Sequence, residues 1–117
     1  MPPRLKQSFD RELTLSEAAS LEGNQTQAFY HLERAHILGQ AYFGPHFLTH
    51  WKMLNWGIRQ RQGKEMIGQI LRLLAVFPAS LFGWVPTGNT GGANVSAFQK
   101  MVIDEDLQKI LQDSEHD

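Results

Sequence analysis

Residues 28–56 read AFYHLERAHILGQAYFGPHFLTHWKMLNW and hold four of the five histidines and two of the three tryptophans. Apolar residues recur there at helical spacing in two series. The first series is Ala28, Leu32, Ala35 and Gly39, and the second is Phe47, Trp51, Leu54 and Ile58. Gly44-Pro45 separates them, and Pro45 suits the first position of a helix, where its missing N–H is no loss. The pattern therefore predicts an antiparallel pair of helices joined by a short turn.

The geometry of this predicted hairpin is expected to bring three histidines together. The last turn of its first helix lies beside the first turn of its second, which brings His36 near His46 and His50. His46 and His50 are four residues apart, so their rings share one helix face and can share a metal ion. Glu33 precedes His36 by three residues, the spacing that aligns two ligands along a helix. We predict a transition-metal site formed by His36, His46, His50 and Glu33.

The chemistry of this set would suit zinc, iron, nickel or copper, and not calcium or magnesium. Because a metal needs neutral imidazoles, its affinity is expected to fall as the pH drops through about 6.5. A helical wheel places His46 and His50 on the flank of the apolar stripe, at the edge of the core. His31, on the other edge of its helix, and His116, in the tail, are not expected to join. The alternative interpretation is that the histidines have a purely structural role and that Glu33 belongs to a solvated helix face.

The remaining helices follow from apolar spacing and stop signals. The first helix is predicted over residues 4–21, with Gly23-Asn24 as its stop, although Thr14–Glu17 could instead begin a new helix. One continuous helix is preferred because the apolar spacing does not reset there. The second and third helices are predicted over 26–38 and 45–61. The fourth begins near Lys64, kinks or ends at Pro78, and has Ile67, Ile70, Leu71 and Leu74 as its apolar face.

Beyond this four-helix array, over residues 1–83, the pattern changes. Residues 84–104 are rich in glycine, proline, asparagine and threonine, which predicts an irregular loop. Asp104 is expected to cap a C-terminal helix over residues 105–113. The predicted fold is all-α, with one domain over residues 1–117.

Composition excludes several classes of function. The 117 residues contain no cysteine, which excludes thiolate nucleophiles and thiolate metal ligands, and the net charge of -1 gives no basic excess for nucleic acid. The uncharged run over residues 73–85 is too short to span a membrane and contains Pro78. The N-terminal residues show no secretory signal, so the cytoplasm is predicted. No serine has the context of a catalytic nucleophile; no catalytic residue is predicted, and enzymatic activity stays open.

The segment LEGNQTQAFYHLERAHILGQ, residues 21–40, resembles the second half of a tetratricopeptide repeat, and a weaker copy lies 40 residues further on. The resemblance implies two stacked helical hairpins. Two repeat units are fewer than the three or so that usually make a stable stack. We therefore expect the stack to be capped either by the C-terminal segment or by a second copy of the chain in a homodimer. Because these folds serve mainly as binding scaffolds, the leading hypothesis is a small intracellular module that binds a protein or peptide in a helical groove. The histidine metal site is the competing hypothesis.

A second resemblance covers most of the chain. LERAHILGQ, the HxxxH of HFLTHW, and the later GNTGG and VSAF are similar to a family of small bacterial proteins of unknown function. The resemblance implies a bacterial, single-domain, stand-alone protein. It implies no activity, ligand or partner.

Overall fold

The computed structural model of the protein describes residues 1–81 and 102–115, which form helices and turns without a strand. The helices are α1 (Pro3–Leu21), α2 (Gln25–Gly39), α3 (Phe43–Arg59), α4 (Gly63–Leu81) and α5 (Glu105–Ser114). The prediction of an all-α fold is confirmed. The tetratricopeptide-like arrangement and the division into one domain with a four-helix array stay predictions, and most of the predicted irregular loop over residues 84–104 lies outside the described residues.

The first hairpin turns where the sequence predicted. Gly23 has a φ of 81°, in the left-handed region that a residue without Cβ adopts freely. Asn24 then caps α2, its side-chain oxygen accepting a hydrogen bond from the Gln27 N–H at 3.1 Å. Thr14 lies inside α1, where its hydroxyl donates to the Asp10 carbonyl oxygen. The preferred single first helix is therefore correct.

Each helix of the array packs on the next in sequence, and α5 packs on α1 and α2. The core between these last three helices contains Leu5, Phe9, Ala35, Leu38 and Leu107, all nearly inaccessible to solvent. No helix of the described residues is both long and apolar enough to cross a membrane.

Gly39 makes the junction between α2 and α3 compact. A Cβ atom built there would lie 2.8 Å from the Phe9 ring and 2.9 Å from Cβ of Pro45, too close for any side chain to fit without movement. The absence of a side chain thus lets the end of α2 pack closely against the first turn of α3. This close packing brings His36 beside His46.

The start predicted for α3 is wrong, and so is one of the two alternatives predicted for α4 at Pro78, a kink or an end. α3 begins at Phe43, so Pro45 occupies its third position and not its first. That position still lies in the first turn, where the backbone N–H has no partner within the helix. α4 continues to Leu81 and so does not end at Pro78.

The predicted apolar faces of α3 and α4 are wrong in part: Leu54 is buried as predicted, but several other members of the two faces are exposed. Trp51 and Ile58 are about half exposed, as are Ile67, Ile70 and Leu71, while the side chain of Leu74 lies outside the description. Besides Leu54, the buried positions of α3 are His46, Thr49, His50, Met53 and Gly57, and Gln69 of α4 is fully buried. Helical spacing shows which residues share a face, but not whether the apolar or the polar face lies inside.

Candidate metal centre

Three histidines from two helices meet in the interior. His36 lies in the last turn of α2, and His46 and His50 lie one turn apart on α3. All three are buried, with at most 6% of each residue exposed. Their convergence follows from the short turn between α2 and α3 and the close packing at Gly39. The predicted position of His46 and His50 at the edge of the core is wrong, because both lie inside it.

The imidazoles point their Nε2 atoms at one another. The Nε2 atom of His36 lies 3.0 Å from that of His46 and 3.1 Å from that of His50. The third side of this triangle, between His46 and His50, is also 3.1 Å. The rings are tilted relative to each other, with centroids 4.7 to 4.8 Å apart, so they converge edge-on and do not stack.

No placement of protons gives every pair of Nε2 atoms in this triangle a hydrogen bond. In a neutral imidazole each Nε2 atom either carries a proton and donates, or carries a lone pair and accepts. Among three mutual neighbours, any assignment leaves two donors or two acceptors facing each other at about 3 Å. A cation between the rings removes this conflict, because it accepts a lone pair from all three nitrogens.

Gln69 fixes the tautomer of His50. Its Oε1 atom lies 2.7 Å from Nδ1 of His50, and its amide nitrogen donates to Glu65 Oε2 at 2.9 Å and to Sδ of Met53 at 3.4 Å. With the amide nitrogen committed to donating, Oε1 accepts, so Nδ1 of His50 carries the proton. Nε2 of His50 is therefore a lone-pair donor facing the centre of the triangle, as a metal ligand must be.

Burial keeps His46 and His50 neutral. Removal from water and, to a smaller extent, the charge of His50 lower the pKa of His46 to about 3. Burial likewise lowers the pKa of His50 to about 4; the hydrogen bond with Gln69 opposes this and Arg72 adds to it. Both imidazoles are thus in the metal-binding protonation state at neutral pH. Nδ1 of His46 is buried and has no hydrogen-bond partner within the part of the chain that the structure describes.

The other candidate residues lie elsewhere. Glu33 is partly buried one turn before His36, but it is not part of the group whose ligand atoms converge. His31 is separate from the triad, and its Nδ1 atom lies 2.7 Å from the carboxylate of Glu12. His116 lies outside the described residues. The sequence analysis did not identify Gln69 as part of the site. The signal that could have indicated it is a single amide in the otherwise apolar segment MIGQIL.

Comparison with known proteins identifies a family and nothing more specific. No curated protein matches the chain, and no solved structure does. A family model described as a protein of unknown function, DUF3703, matches residues 3–111, nearly the whole chain. This agrees with the resemblance found in the sequence to a family without a known activity. The chain belongs to the DUF3703 family.

Proposed function

We propose that the protein binds a transition-metal ion through the Nε2 atoms of His36, His46 and His50. The observation that carries the proposal is the triangle of nitrogens 3.0 to 3.1 Å apart, which no arrangement of protons satisfies. The three imidazoles would hold the ion through the lone pairs of these nitrogens, where it would act as a Lewis acid.

The ligand types favour a transition metal. Imidazole suits zinc, copper, iron and nickel, whereas calcium and magnesium take oxygen ligands. Within the described ranges, 1–81 and 102–115, the converging group consists of histidines alone. Three protein ligands leave at least one coordination position for another group, as in zinc enzymes with three histidines. Glu33 is not proposed as a ligand, since it lies outside the converging group.

The proposal is tested by thermal unfolding with and without added metal. Zn²⁺ or Ni²⁺ at 100 times its dissociation constant should stabilise the folded protein by about 2.7 kcal/mol. We expect a clear rise in melting temperature for the wild type and none for His46→Leu, which keeps similar bulk but removes a ligand. His31→Gln is the matched control, because it also removes one histidine yet should keep the metal-induced rise. An equal rise in His46→Leu and the wild type would contradict the site.

Gln69 gives a separate prediction about metal affinity. Gln69→Leu removes the acceptor that holds the His50 proton on Nδ1, and loss of such an outer partner typically costs 10-fold to 100-fold in affinity. Calorimetric titration with Zn²⁺ should show this loss. Gln7→Leu, an exposed change on α1, should have no effect.

A double variant distinguishes hydrogen bonding from packing at this position. In Glu65→Gln/Gln69→Glu the acceptor behind His50 becomes a carboxylate, and the new amide at position 65 can donate to it. Zinc affinity should return to at least the wild-type value. Affinity as low as in Gln69→Leu would indicate that Gln69 contributes bulk alone.

The second proposal is the one that the tetratricopeptide resemblance implies, a cytoplasmic module that holds a protein or peptide partner. A groove of about 510 Å³ between α1, α2 and α3 supports it, with walls that include Leu13, Leu32, Leu48 and Trp51. Pull-down with the wild-type chain should recover a stoichiometric partner that Trp51→Glu fails to recover. Equal recovery by both would contradict a role for this groove. Sedimentation tests the related proposal of a homodimer, which a monomer at micromolar concentration would contradict.

A further inference from the structure

The burial of the histidine triad favours an ion of low charge. Imidazoles bind a metal as neutral ligands, so an ion held by three of them keeps its full positive charge. At most 6% of each of these histidines is exposed to solvent. The free-energy cost of burying an ion rises with the square of its charge, so a divalent ion costs about four times as much as a monovalent one. This inference rests on the proposed metal site.

The ligand set that the structure describes brings no negative charge to offset that cost. Among the described residues, the group whose ligand atoms converge consists of histidines alone. Residues 74–101, whose side chains lie outside the description, include no aspartate, glutamate, histidine or cysteine. The other undescribed residues are His116 and Asp117, the last two of the chain.

The outer partner of His50 is neutral as well. Oε1 of Gln69 lies 2.7 Å from Nδ1 of His50, in the place where a histidine bound to zinc often has a carboxylate. The carboxylate of Glu65 is one step further away, because it accepts the hydrogen bond from the amide nitrogen of Gln69. A neutral amide behind the ligand offsets less of the charge of a divalent ion than a carboxylate in the same place would.

Coordination number distinguishes the candidate ions in the same direction. Zinc sites almost always have four ligands, so Zn²⁺ on the triad would need a further ligand that the converging group does not contain. Copper binds imidazole nitrogen, and in its monovalent form it accepts a lower coordination number, which three nitrogens complete. Sodium and potassium share the single charge, but they are hard ions that prefer oxygen ligands.

We propose that the triad of His36, His46 and His50 binds monovalent copper, Cu⁺, in preference to Zn²⁺ and Cu²⁺. The three Nε2 atoms supply the whole coordination of this ion, and its single charge is the smallest that a transition metal can bring into the interior. The preference comes from the neutrality and burial of the site and not from a sulfur ligand, which is the more usual selector of Cu⁺.

Competition experiments under nitrogen, on the full chain without a histidine tag, measure this preference. Cu⁺ is supplied as its acetonitrile complex and competed against bicinchoninate, while Zn²⁺ and Cu²⁺ are competed against colorimetric chelators of known affinity. The dissociation constant for Cu⁺ should be about 100 times lower than that for either divalent ion. His31→Gln is the control and should keep all three wild-type affinities. A divalent ion that binds as tightly as Cu⁺, or more tightly, would overturn the proposal.

A double variant tests the role of charge. Glu65→Gln/Gln69→Glu moves one negative charge next to His50 without changing the net charge of the chain. It should strengthen the binding of Zn²⁺ more than that of Cu⁺, because electrostatic attraction grows with the charge of the ion, and so reduce the preference for Cu⁺ about tenfold. A merely structural effect of the two changes would alter both affinities alike. An unchanged preference in a folded double variant would overturn the charge argument.

The outcomes separate this inference from the metal site itself. Zn²⁺ or Cu²⁺ bound more tightly than Cu⁺, with binding lost in His46→Leu, would overturn the preference for Cu⁺ and leave the metal site standing. Failure of all three ions to bind the wild type would overturn both the metal site and the preference.

Discussion

Acidification from pH 6.5 to pH 4 should lower the free energy of unfolding of the metal-free protein by several kcal/mol. The cause is the difference between the ordinary histidine pKa of 6.5 and the pKa values of about 3 for His46 and about 4 for His50 in the folded chain. Each pKa unit corresponds to about 1.4 kcal/mol. Between these values the unfolded chain binds protons that the folded chain does not, so stability falls as the pH falls.

Urea unfolding at a series of pH values measures this effect. Stability should be highest above pH 6.5 and should decline progressively toward the folded pKa values. The interval from pH 6.5 to 5 is the most informative, because most carboxylates remain ionised there. His46→Leu/His50→Leu removes both groups and should have a much flatter profile in that interval. A wild-type profile parallel to that of the double variant would contradict the burial of neutral histidines.

The same pKa values change the expected pH dependence of metal binding. From the sequence, affinity was expected to fall as the pH drops through about 6.5. Because burial already keeps His46 and His50 neutral well below that pH, protons compete with the metal at these two ligands only in more acidic solution.

Arg34→Met should destabilise the protein by about 3 kcal/mol through a contact that joins three helices. The Arg34 guanidinium, on α2, donates to Glu12 of α1 at 2.9 Å and to Asp106 of α5. The hydrogen bond with Asp106 raises the pKa of Arg34. Burial opposes this increase, and Glu12 adds to it. The side chain of Glu12 is only 8% exposed, so removing Arg34 leaves its carboxylate buried with His31 alone. Loss of one partner of a buried ion pair typically costs about 3 to 5 kcal/mol.

A second substitution tests this mechanism. Glu12→Gln/Arg34→Met should be less destabilised than Arg34→Met, because it also removes the stranded charge. Lys6→Met is the control, since Lys6 and Asp10 form an ion pair whose side chains are both more than half exposed. It should change stability by less than about 1 kcal/mol. If urea unfolding shows that Arg34→Met lowers the free energy of unfolding no more than Lys6→Met does, the proposed role of Arg34 is contradicted.

The sequence predicted the parts of the site that depend on local geometry. The HxxxH spacing and a short turn after His36 were enough to bring three histidines together, because helical spacing and hairpin geometry fix where those side chains point. Glu33 satisfied a spacing rule within its helix, but it is not part of the group whose ligand atoms converge. Spacing along one helix carries no information about which neighbour that helix packs against.

Gln69 and the exposed apolar residues show where sequence reasoning failed. Gln69 acts through His50, nineteen residues earlier, and only the packing of α3 on α4 reveals the pair. Trp51 and Ile58 were assigned to the core because apolar residues usually lie inside. Here the buried face of α3 contains His46 and His50, which meet His36 of α2 and Gln69 of α4, so the rule fails at the candidate site.

The central claim is that the three histidines bind one transition-metal ion, and elemental analysis of protein purified without a histidine tag tests it most directly. Protein produced in medium containing iron, nickel, copper and zinc should carry about one transition-metal ion per chain. His46→Leu/His50→Leu, prepared identically, should carry close to none. Equal metal content in the two proteins, or none in the wild type even after addition of Zn²⁺ or Ni²⁺, would show that the histidine triad is not a metal site.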